Sequence, residues 1–255
     1  MLGAIAGDVI GSIYEADPIK TTDFPLLQPA CCFTDDSVLT VATAQAILER
    51  ETFDAAYRAW YRRYPGAGYG GMFHQWGQSD EIGPYNSFGN GAAMRVAPVG
   101  WAYDGLDAVL AAAERSARAT HDHPEGIKGA QVTAGAVFLA RSEPIEDVLG
   151  WARGFGYELD TPIDELRPVH TFDVTCQGTV PPALRCAYEA ESFEHAVRLA
   201  ISLGGDADTL AAIAGAIAEA RFGGVPSEIR APVTDRLDRP LRSVIAAFTL
   251  MYGVP

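Results

Sequence analysis

Two short motifs in this chain combine several carboxylates with hydroxyl groups. The first is Phe33-Thr34-Asp35-Asp36-Ser37, and the second is Gly204-Gly205-Asp206-Ala207-Asp208-Thr209. Neighbouring ionised carboxylates repel one another, and a bound cation neutralises that repulsion. Oxygen ligands suit magnesium, manganese or calcium, whereas zinc and copper recruit His or Cys. The motifs therefore indicate a site for hard divalent cations.

Helix capping is the alternative interpretation of each motif taken alone. Both lie where a loop is predicted to become a helix, and Asp, Thr and Ser are preferred at helix N-termini. However, Asp35 and Asp36 supply more charge than one cap needs, and Asp206 and Asp208 repeat that excess. The glycines at 204–205 also let the backbone approach an ion closely. Together the two motifs favour a cation site.

Helices must position these residues, because apolar side chains recur at three- and four-residue spacing and strand-like alternation is scarce. We predict an all-α fold, a compact multi-helix orthogonal bundle with a single domain over residues 1–255. Residues 66–91 read as a long ordered loop, and the helical pattern breaks again over 156–180. The predicted helices cover 1–15, 36–51, 52–65, 91–102, 104–119, 125–142, 144–155, 181–191, 193–203, 208–222 and 240–252.

The first predicted helix carries a ridge without side chains, formed by Gly3, Gly7 and Gly11. Another helix can approach such a ridge closely. A different face of this helix presents Asp8, Ser12 and Glu15 at helical spacing. Glu15, at the end of the helix, is thus expected to bring a fifth carboxylate to the two motifs.

Three further groups allow two interpretations each. The aromatic stripe Tyr57, Trp60, Tyr61 and Tyr64 has the spacing of a buried helix face, so we predict core packing over nucleotide stacking. Gly89-Asn90-Gly91 is either a ligand loop or a tight turn before a helix. His121 and His123 precede Pro124 and are either ligand contacts or a solvated helix entry.

Composition limits the classes of partner. The 255 residues include 33 acidic and 19 basic side chains, and the formal charge of −14 opposes binding to long nucleic acids. The four cysteines form no C-x-x-C pair, which suits a reducing cytoplasm. The sequence shows neither a signal peptide nor a stretch long enough to span a membrane. We expect a cytoplasmic monomer.

Five blocks of the chain, in this order, resemble the ADP-ribosylhydrolase (ADP-ribosylglycohydrolase) family, including the dinitrogenase reductase-activating glycohydrolases. The resemblance extends from residue 1 to about 224 and departs at Ser37, where the family more often has Thr. The blocks are GAIAGDVIGSIYE at 3–15, FTDDS at 33–37, SFGNGAAMR at 87–95, THDHP at 120–124, and GGDADTLAAIAGAI at 204–217.

The resemblance implies an all-α enzyme that binds ADP-ribose and two Mg²⁺ or Mn²⁺ ions. It assigns catalytic roles to Glu15, Asp35 and Asp36, with proton transfer falling to either Glu15 or Asp35. The implied metal ligands are Thr34, Asp35, Asp36, Asp206, Asp208 and Thr209. The implied ligand-binding residues are Asn86, Ser87, Phe88, Gly89, Asn90, Met94, His121 and Gly205.

The expected reaction is hydrolysis of the C1″ glycosidic or ester bond between ADP-ribose and an acceptor. The acceptor is a modified protein side chain, such as arginine or serine, or a small-molecule conjugate. Cleavage of a glycosidic bond passes through an oxocarbenium-like state, which requires an oriented ribose, an activated water and a proton donor. The alternatives are a non-catalytic ADP-ribose-binding relative and a binuclear phosphoesterase that acts on nucleotides.

Overall fold

Helices make up the regular structure throughout the computed structural model, which describes all 255 residues. The prediction of an all-α fold is confirmed, and the single β-bridge, between Gly89 and Thr175, is isolated. The helices are α1 Leu2–Gly11, α2 Asp35–Glu49, α3 Phe53–Arg63, α4 Gly71–Gln78, α5 Gly91–Met94, α6 Ala97–Ala102, α7 Leu106–Arg118, α8 Pro124–Leu139, α9 Ile145–Arg153, α10 Ile163–Leu166, α11 Cys176–Glu189, α12 Phe193–Ser202, α13 Ala207–Arg221, α14 Ser227–Asp235 and α15 Arg239–Tyr252.

Several helix ends follow the local signals in the sequence. Ser192 caps α12, because its hydroxyl accepts a hydrogen bond from the backbone N–H of His195 at 3.1 Å. Pro124 occupies the first turn of α8, where a missing N–H costs nothing. Asp238 caps α15 by accepting from the N–H of Leu241. The predicted ranges 125–142, 193–203 and 240–252 therefore lie close to the observed helices α8, α12 and α15.

Three predictions were wrong in the first part of the chain, where glycine or proline obscured the pattern. The first helix ends at Gly11, so Glu15 lies in the following turn. The predicted loop over 66–91 contains α4, whose Phe73 and Trp76 are buried despite the glycines around them. The predicted helix over 91–102 is two helices, since Pro98 has no N–H to continue the first.

The other differences concern prolines inside helices. Helix α11 begins at Cys176, five residues before the predicted start, because Thr175 caps it and Pro181 lies within it. Helix α14 was not predicted, and Pro232 lies inside it. Tertiary packing outweighs the cost of a lost backbone hydrogen bond at these positions.

Helices α1 and α13 form the centre of the molecule. Every residue of α1 is buried, and α13 is buried from Ala207 to Ala220, as expected for helices that are apolar on all faces. The predicted glycine ridge is the contact between them. A Cβ atom on Gly7 would overlap the backbone carbonyl of Ala211, and one on Gly3 would overlap that of Gly215. The two backbones therefore pack closer than side chains would allow.

We predict that Gly7→Ala lowers the free energy of unfolding by about 2–3 kcal/mol, because the added methyl group overlaps the backbone of α13. Gly150→Ala is the matched control, since Gly150 lies on the exposed side of α9 with no atom near its missing Cβ. That change should stabilise the protein by about 0.5–1 kcal/mol. Urea unfolding measures both. Equal effects of the two substitutions would contradict the close contact.

Candidate active site

Asp8 ties the central helix to the first motif. Its buried carboxylate accepts hydrogen bonds from the backbone N–H groups of Thr34 at 3.0 Å and Ser37 at 3.1 Å. It also accepts from the hydroxyl of Thr34 at 2.6 Å and from the hydroxyl of Ser37. Ser37 thus keeps the hydroxyl that the family's more common Thr would supply. These four bonds hold the start of α2 against the middle of α1.

The first motif begins α2, and capping explains only part of it. The hydroxyl of Thr34 accepts from the backbone N–H of Asp36 at 3.3 Å, which makes Thr34 the N-cap. Asp36 is 3% exposed, and its Oδ1 atom has no hydrogen-bond partner. Asp35 is half-buried and lines the cleft described below. Neither carboxylate of the pair accepts a capping bond.

The second motif enters α13 through two glycines with left-handed backbones, Gly204 at φ +67° and Gly205 at φ +79°. Asp206 occupies the N-cap position but makes no side-chain capping bond. Its Oδ2 atom instead accepts a hydrogen bond from the side-chain amide of Asn90 at 2.7 Å. Asp208 accepts from the backbone N–H of Thr209 at 2.9 Å. The capping interpretation therefore fails for Asp206.

The two motifs, 173 positions apart in the chain, meet directly. The hydroxyl of Thr209 donates to Oδ2 of Asp36 at 3.3 Å. Carboxylate oxygens of Asp8, Asp36 and Asp208 lie within 4.8 Å of one another. A second group, formed by Glu15, Asp206 and Asp208, meets the same limit. Asp208 belongs to both groups, so the carboxylates form one continuous cluster.

Burial and mutual repulsion raise the pKa values of this cluster. Burial is the main cause for Asp36 and Asp208, whose pKa values lie well above the ordinary range, and neighbouring carboxylates raise them further. Burial and the charge of Asp8 raise the pKa of Asp35 to about 8. Partial burial, followed by the charges of Asp206 and Asp8, raises the pKa of Glu15. The cluster therefore resists holding all its negative charges at once.

The donor set fits divalent cations. All of the clustered ligand atoms are carboxylate or hydroxyl oxygens, the chemistry that magnesium and manganese prefer. Oδ1 of Asp36 is buried without a partner, and a cation would satisfy it. The cluster could therefore hold metal ions through Asp36, Asp206, Asp208 and Glu15, and Asp8 adds a further buried charge.

A cleft of about 610 Å³ opens beside the cluster. It brings together most of the residues that the sequence singled out, from both motifs and from the 87–91 loop. Those at its surface are Glu15, Thr34, Asp35, Asp36, Ser87, Gly89, Asn90, Met94, His121, Asp206, Asp208 and Thr209.

Three predicted ligand residues do not line the cleft. Asn86 is exposed, and its backbone N–H donates to Asp122 at 2.7 Å. Phe88 is 46% exposed, and its ring packs against that of His123. Gly205 packs against the backbone of Thr171 and Phe172. Each of them is adjacent in sequence to a residue that does line the cleft.

The 87–91 loop is held rigidly against the start of α11. The backbone N–H of Asn90 donates to the carbonyl of Val174 at 2.7 Å, and that of Cys176 donates to the carbonyl of Phe88 at 2.9 Å. The amide of Asn90 also donates to Thr179 at 3.0 Å. Asn90 therefore joins α11 to Asp206, which makes Gly89-Asn90-Gly91 more than a turn.

The two histidines have different positions. His123 caps α8, because its Nδ1 atom accepts from the backbone N–H of Glu125 at 3.1 Å. His121 is buried and reaches the cleft.

The aromatic stripe is in the core as predicted, with Tyr57, Trp60 and Tyr61 almost fully buried.

Sequence reasoning missed other residues of the site. Asp8 was placed on a polar face of the first helix but was not assigned to the cluster, although a lone acid in an apolar helix is a usable signal. Arg95 and Tyr85 also line the cleft. Arg95 ends the SFGNGAAMR block but was given no role, and Tyr85 lies outside every block. Phe172 and Val174 come from the unpatterned 156–180 region and line the cleft as well.

Comparison with known proteins identifies the family of the chain. The sequence pattern of the ADP-ribosylglycohydrolase family matches residues 1–252. The chain belongs to this family. It is 29% identical to the human ADP-ribosylhydrolase ARH3. The alignment of 307 positions, gaps included, covers 88% of this chain and 84% of that protein. It is 25% identical to the ADP-ribosyl-[dinitrogen reductase] glycohydrolase of Rhodospirillum rubrum, over 87% of this chain and 80% of that protein.

A solved structure supports the same assignment. An ADP-ribosylglycohydrolase-related protein complex contains a chain that superposes with a TM-score of 0.72 at 26% identity, covering 99% of this chain and 95% of that one. None of the helices of the present ADP-ribosylglycohydrolase has the length and apolar character needed to cross a bilayer. All four cysteines are free thiols.

We predict that the metal-free ADP-ribosylglycohydrolase loses stability as the pH rises from about 4 to about 8. The acids whose pKa values are raised in the folded state are protonated there at low pH, so folding takes up protons, and this stabilisation disappears as the pH rises. We expect manganese to reverse the effect, because a cation at the cluster would favour the ionised carboxylates. Thermal unfolding in EDTA measures the loss of stability with pH, and thermal unfolding in excess Mn²⁺ measures its reversal.

At a Mn²⁺ concentration about a hundredfold above its Kd, the melting temperature should rise by about 5–10 °C near pH 8. The rise should be less than about half of this near pH 5, where protons compete. Asp17→Asn, at an exposed acid outside the cluster, is the control and should leave both shifts unchanged. Equal Mn²⁺ shifts at the two pH values would contradict the electrostatic account.

Proposed function

We propose that this chain hydrolyses the bond between ADP-ribose and an acceptor, with divalent cations held in the carboxylate cluster. The convergence of 34–36 and 206–209 around Asp8, at the wall of a cleft, carries the proposal. Family membership supports the activity, since both named relatives are ADP-ribosylhydrolases. The acceptor is a modified protein side chain or a small-molecule conjugate with an N- or O-linkage.

The cleft suits a polar ligand of small-molecule size. Its volume of about 610 Å³ is within the range of small-molecule pockets. Its lining combines the acidic cluster with polar groups from the 87–91 loop and His121. We assign Ser87, Gly89, Asn90 and His121 to the phosphates and the distal ribose. Asn86, Phe88, Met94 and Gly205 complete the proposed ligand-binding set by shaping the surrounding wall.

The proposed metal ligands are Thr34, Asp35, Asp36, Asp206, Asp208 and Thr209, around Mg²⁺ or Mn²⁺. Bound cations would supply positive charge that fixes ribose hydroxyls and lowers the pKa of water. The protein contributes the alignment of the ligands. Asn90 fixes Asp206, and Thr209 donates to Asp36, so these carboxylates hold their orientation before any ligand arrives.

Proton transfer falls to Glu15 or Asp35. Without bound cations, the raised pKa of each carboxyl lies closer to neutral pH, where a group can both accept and release a proton. Glu15 lies on an exposed turn after α1 and already lines the cleft, so its carboxylate can reach a bound ligand. Asp36 was also predicted to be catalytic. Its burial and its bond from Thr209 suit a ligand role better.

The purified protein with Mn²⁺ or Mg²⁺ should release ADP-ribose from at least one of three probes: an ADP-ribosylserine peptide, an ADP-ribosylarginine peptide or O-acetyl-ADP-ribose. EDTA should abolish release. Chromatography of the products separates the mechanisms, since a phosphoesterase would yield AMP. ADP-ribose binding without turnover of any probe would instead indicate a non-catalytic relative.

Variants connect the activity to the cluster. Asp208→Asn should abolish turnover and weaken the Mn²⁺-dependent rise in melting temperature, because Asp208 belongs to both carboxylate groups. Glu15→Gln should lower kcat by about 10²-fold or more, the usual contribution of a general acid or base. Asp17→Asn, two residues further along the same exposed turn region, is the matched control. Wild-type turnover in Asp208→Asn would sink the proposal.

A further inference from the structure

A buried guanidinium group lies two hydrogen bonds from the imidazole in the cleft. Arg95 is fully buried, and its guanidinium packs over the ring of Tyr57 at 4.1 Å. Its Nη2 atom donates to the hydroxyl of Thr120 at 2.8 Å. That hydroxyl lies 2.7 Å from Nδ1 of His121. Arg95, Thr120 and His121 therefore form a chain that ends at the cleft.

The position of each proton in this chain can be deduced by counting donors and acceptors. A guanidinium only donates, so Thr120 must accept from Arg95. The hydroxyl then has one proton left, and its oxygen lies 2.7 Å from Nδ1 of His121, with the phenol oxygen of Tyr85 as a second acceptor nearby. If Nδ1 carried a proton instead, the buried hydroxyl would accept from both Arg95 and His121 and would have to direct its own proton to Tyr85. The short contact with Nδ1 favours the arrangement in which Thr120 donates to His121 and Nδ1 is unprotonated.

We infer that Arg95 and Thr120 fix His121 as a neutral imidazole with its proton on Nε2, so that His121 donates a hydrogen bond to an oxygen of the bound ligand and does not transfer protons. Arg95 and Thr120 act as positioning residues. The identity of the ligand as ADP-ribose rests on the proposed function. The protonation state of His121 does not.

The Nε2 atom faces the 87–91 loop. A Cβ atom on Gly91 would lie 3.2 Å from Nε2, and one on Gly89 would lie 3.5 Å from it. The two glycines thus leave space beside the Nε2 proton. Phosphates and ribose hydroxyls present oxygen acceptors, so a donor fixed at this wall matches an oxygen-rich ligand.

The surroundings of His121 disfavour its charged form. Burial lowers the pKa of His121 well below its usual value, and the positive charge of Arg95 lowers it further. The ring of Tyr85 packs at 5.9 Å on another side. The carboxylate of the next residue, Asp122, bonds to the backbone of Asn86. His121 is thus held neutral by the same guanidinium that orders its partner.

Nitrogen-15 NMR of the histidine side chains in the free protein tests the inference without any ligand. A His121→Gln spectrum assigns the signal. Between about pH 5.5 and 8, across the usual histidine range, Nδ1 should show the shift of an unprotonated nitrogen and Nε2 that of an N–H. A protonated Nδ1, or titration of His121 within this range, would overturn the inference.

Variants test the positioning role. Thr120→Val removes the hydroxyl, so His121 should show a mixture of tautomers, and the Kd for ADP-ribose should rise about five- to tenfold. Thr120→Ser should restore both readouts. The matched control is Thr133→Val, because the hydroxyl of Thr133 is buried in α8 without a partner. Thr133→Val should change neither the tautomer of His121 nor the Kd for ADP-ribose.

The two proposals fail in different ways. If wild-type protein does not bind ADP-ribose, the proposed function is wrong, while the NMR spectrum still decides the state of His121. If ADP-ribose binds and Thr120→Val retains a single Nε2–H tautomer with wild-type affinity, the role of Arg95 and Thr120 is wrong and the hydrolase proposal stands.

Discussion

The close contact between α1 and α13 is the constraint on which the site depends. Glycines at positions 3, 7 and 11 allow the two backbones to touch, and this contact fixes Asp8 beside the entry to α13. Asp8 then gathers the start of α2 through four hydrogen bonds to Thr34 and Ser37. The buried helix α1 thus meets two helix starts that are far apart in sequence, the start of α2 through Asp8 and the start of α13 through Gly11. Without the glycine ridge, α1 and α13 could not pack this closely, and the two motifs would not be held next to each other.

This arrangement carries an electrostatic cost. Carboxylates close together in a buried setting destabilise the charged state, and their raised pKa values express that cost. Proteins tolerate strained electrostatics of this kind mostly at functional sites. Bound cations, as proposed, would neutralise the cluster and remove this cost. The polar bonds from Thr209 and Asn90 hold the carboxylates in place but add no positive charge. The carboxylates are therefore held in fixed orientations, and their negative charge is left for a cation to neutralise.

Much of this site could be predicted from the sequence because local rules determine it. The spacing of Gly3, Gly7 and Gly11 predicted a close helix contact, and both acidic motifs were found from the clustering of Asp and Thr beside predicted helix starts. The role of Asp8 was missed because its partners on α2 are 26 and 29 positions away. The turn that carries Glu15 was predicted as helix because its side chain kept the helical spacing.

Helix α4 was not predicted because of its glycines, and the start of α11 was not predicted because of its prolines. In both, burial against distant elements decides the structure, and no local pattern reports it. Arg95 illustrates the same limit, since its contacts with Tyr57 and Thr120 are purely tertiary.

The central claim is that the acidic cluster holds divalent cations. Anomalous scattering from manganese-soaked crystals tests it most directly, because the signal reports the number of ions and their ligands. The account predicts two peaks among the oxygens of residues 34–36 and 206–209, with Asp208 beside both. Crystals with no peak in the cluster, or with manganese bound only elsewhere on the acidic surface, would contradict it.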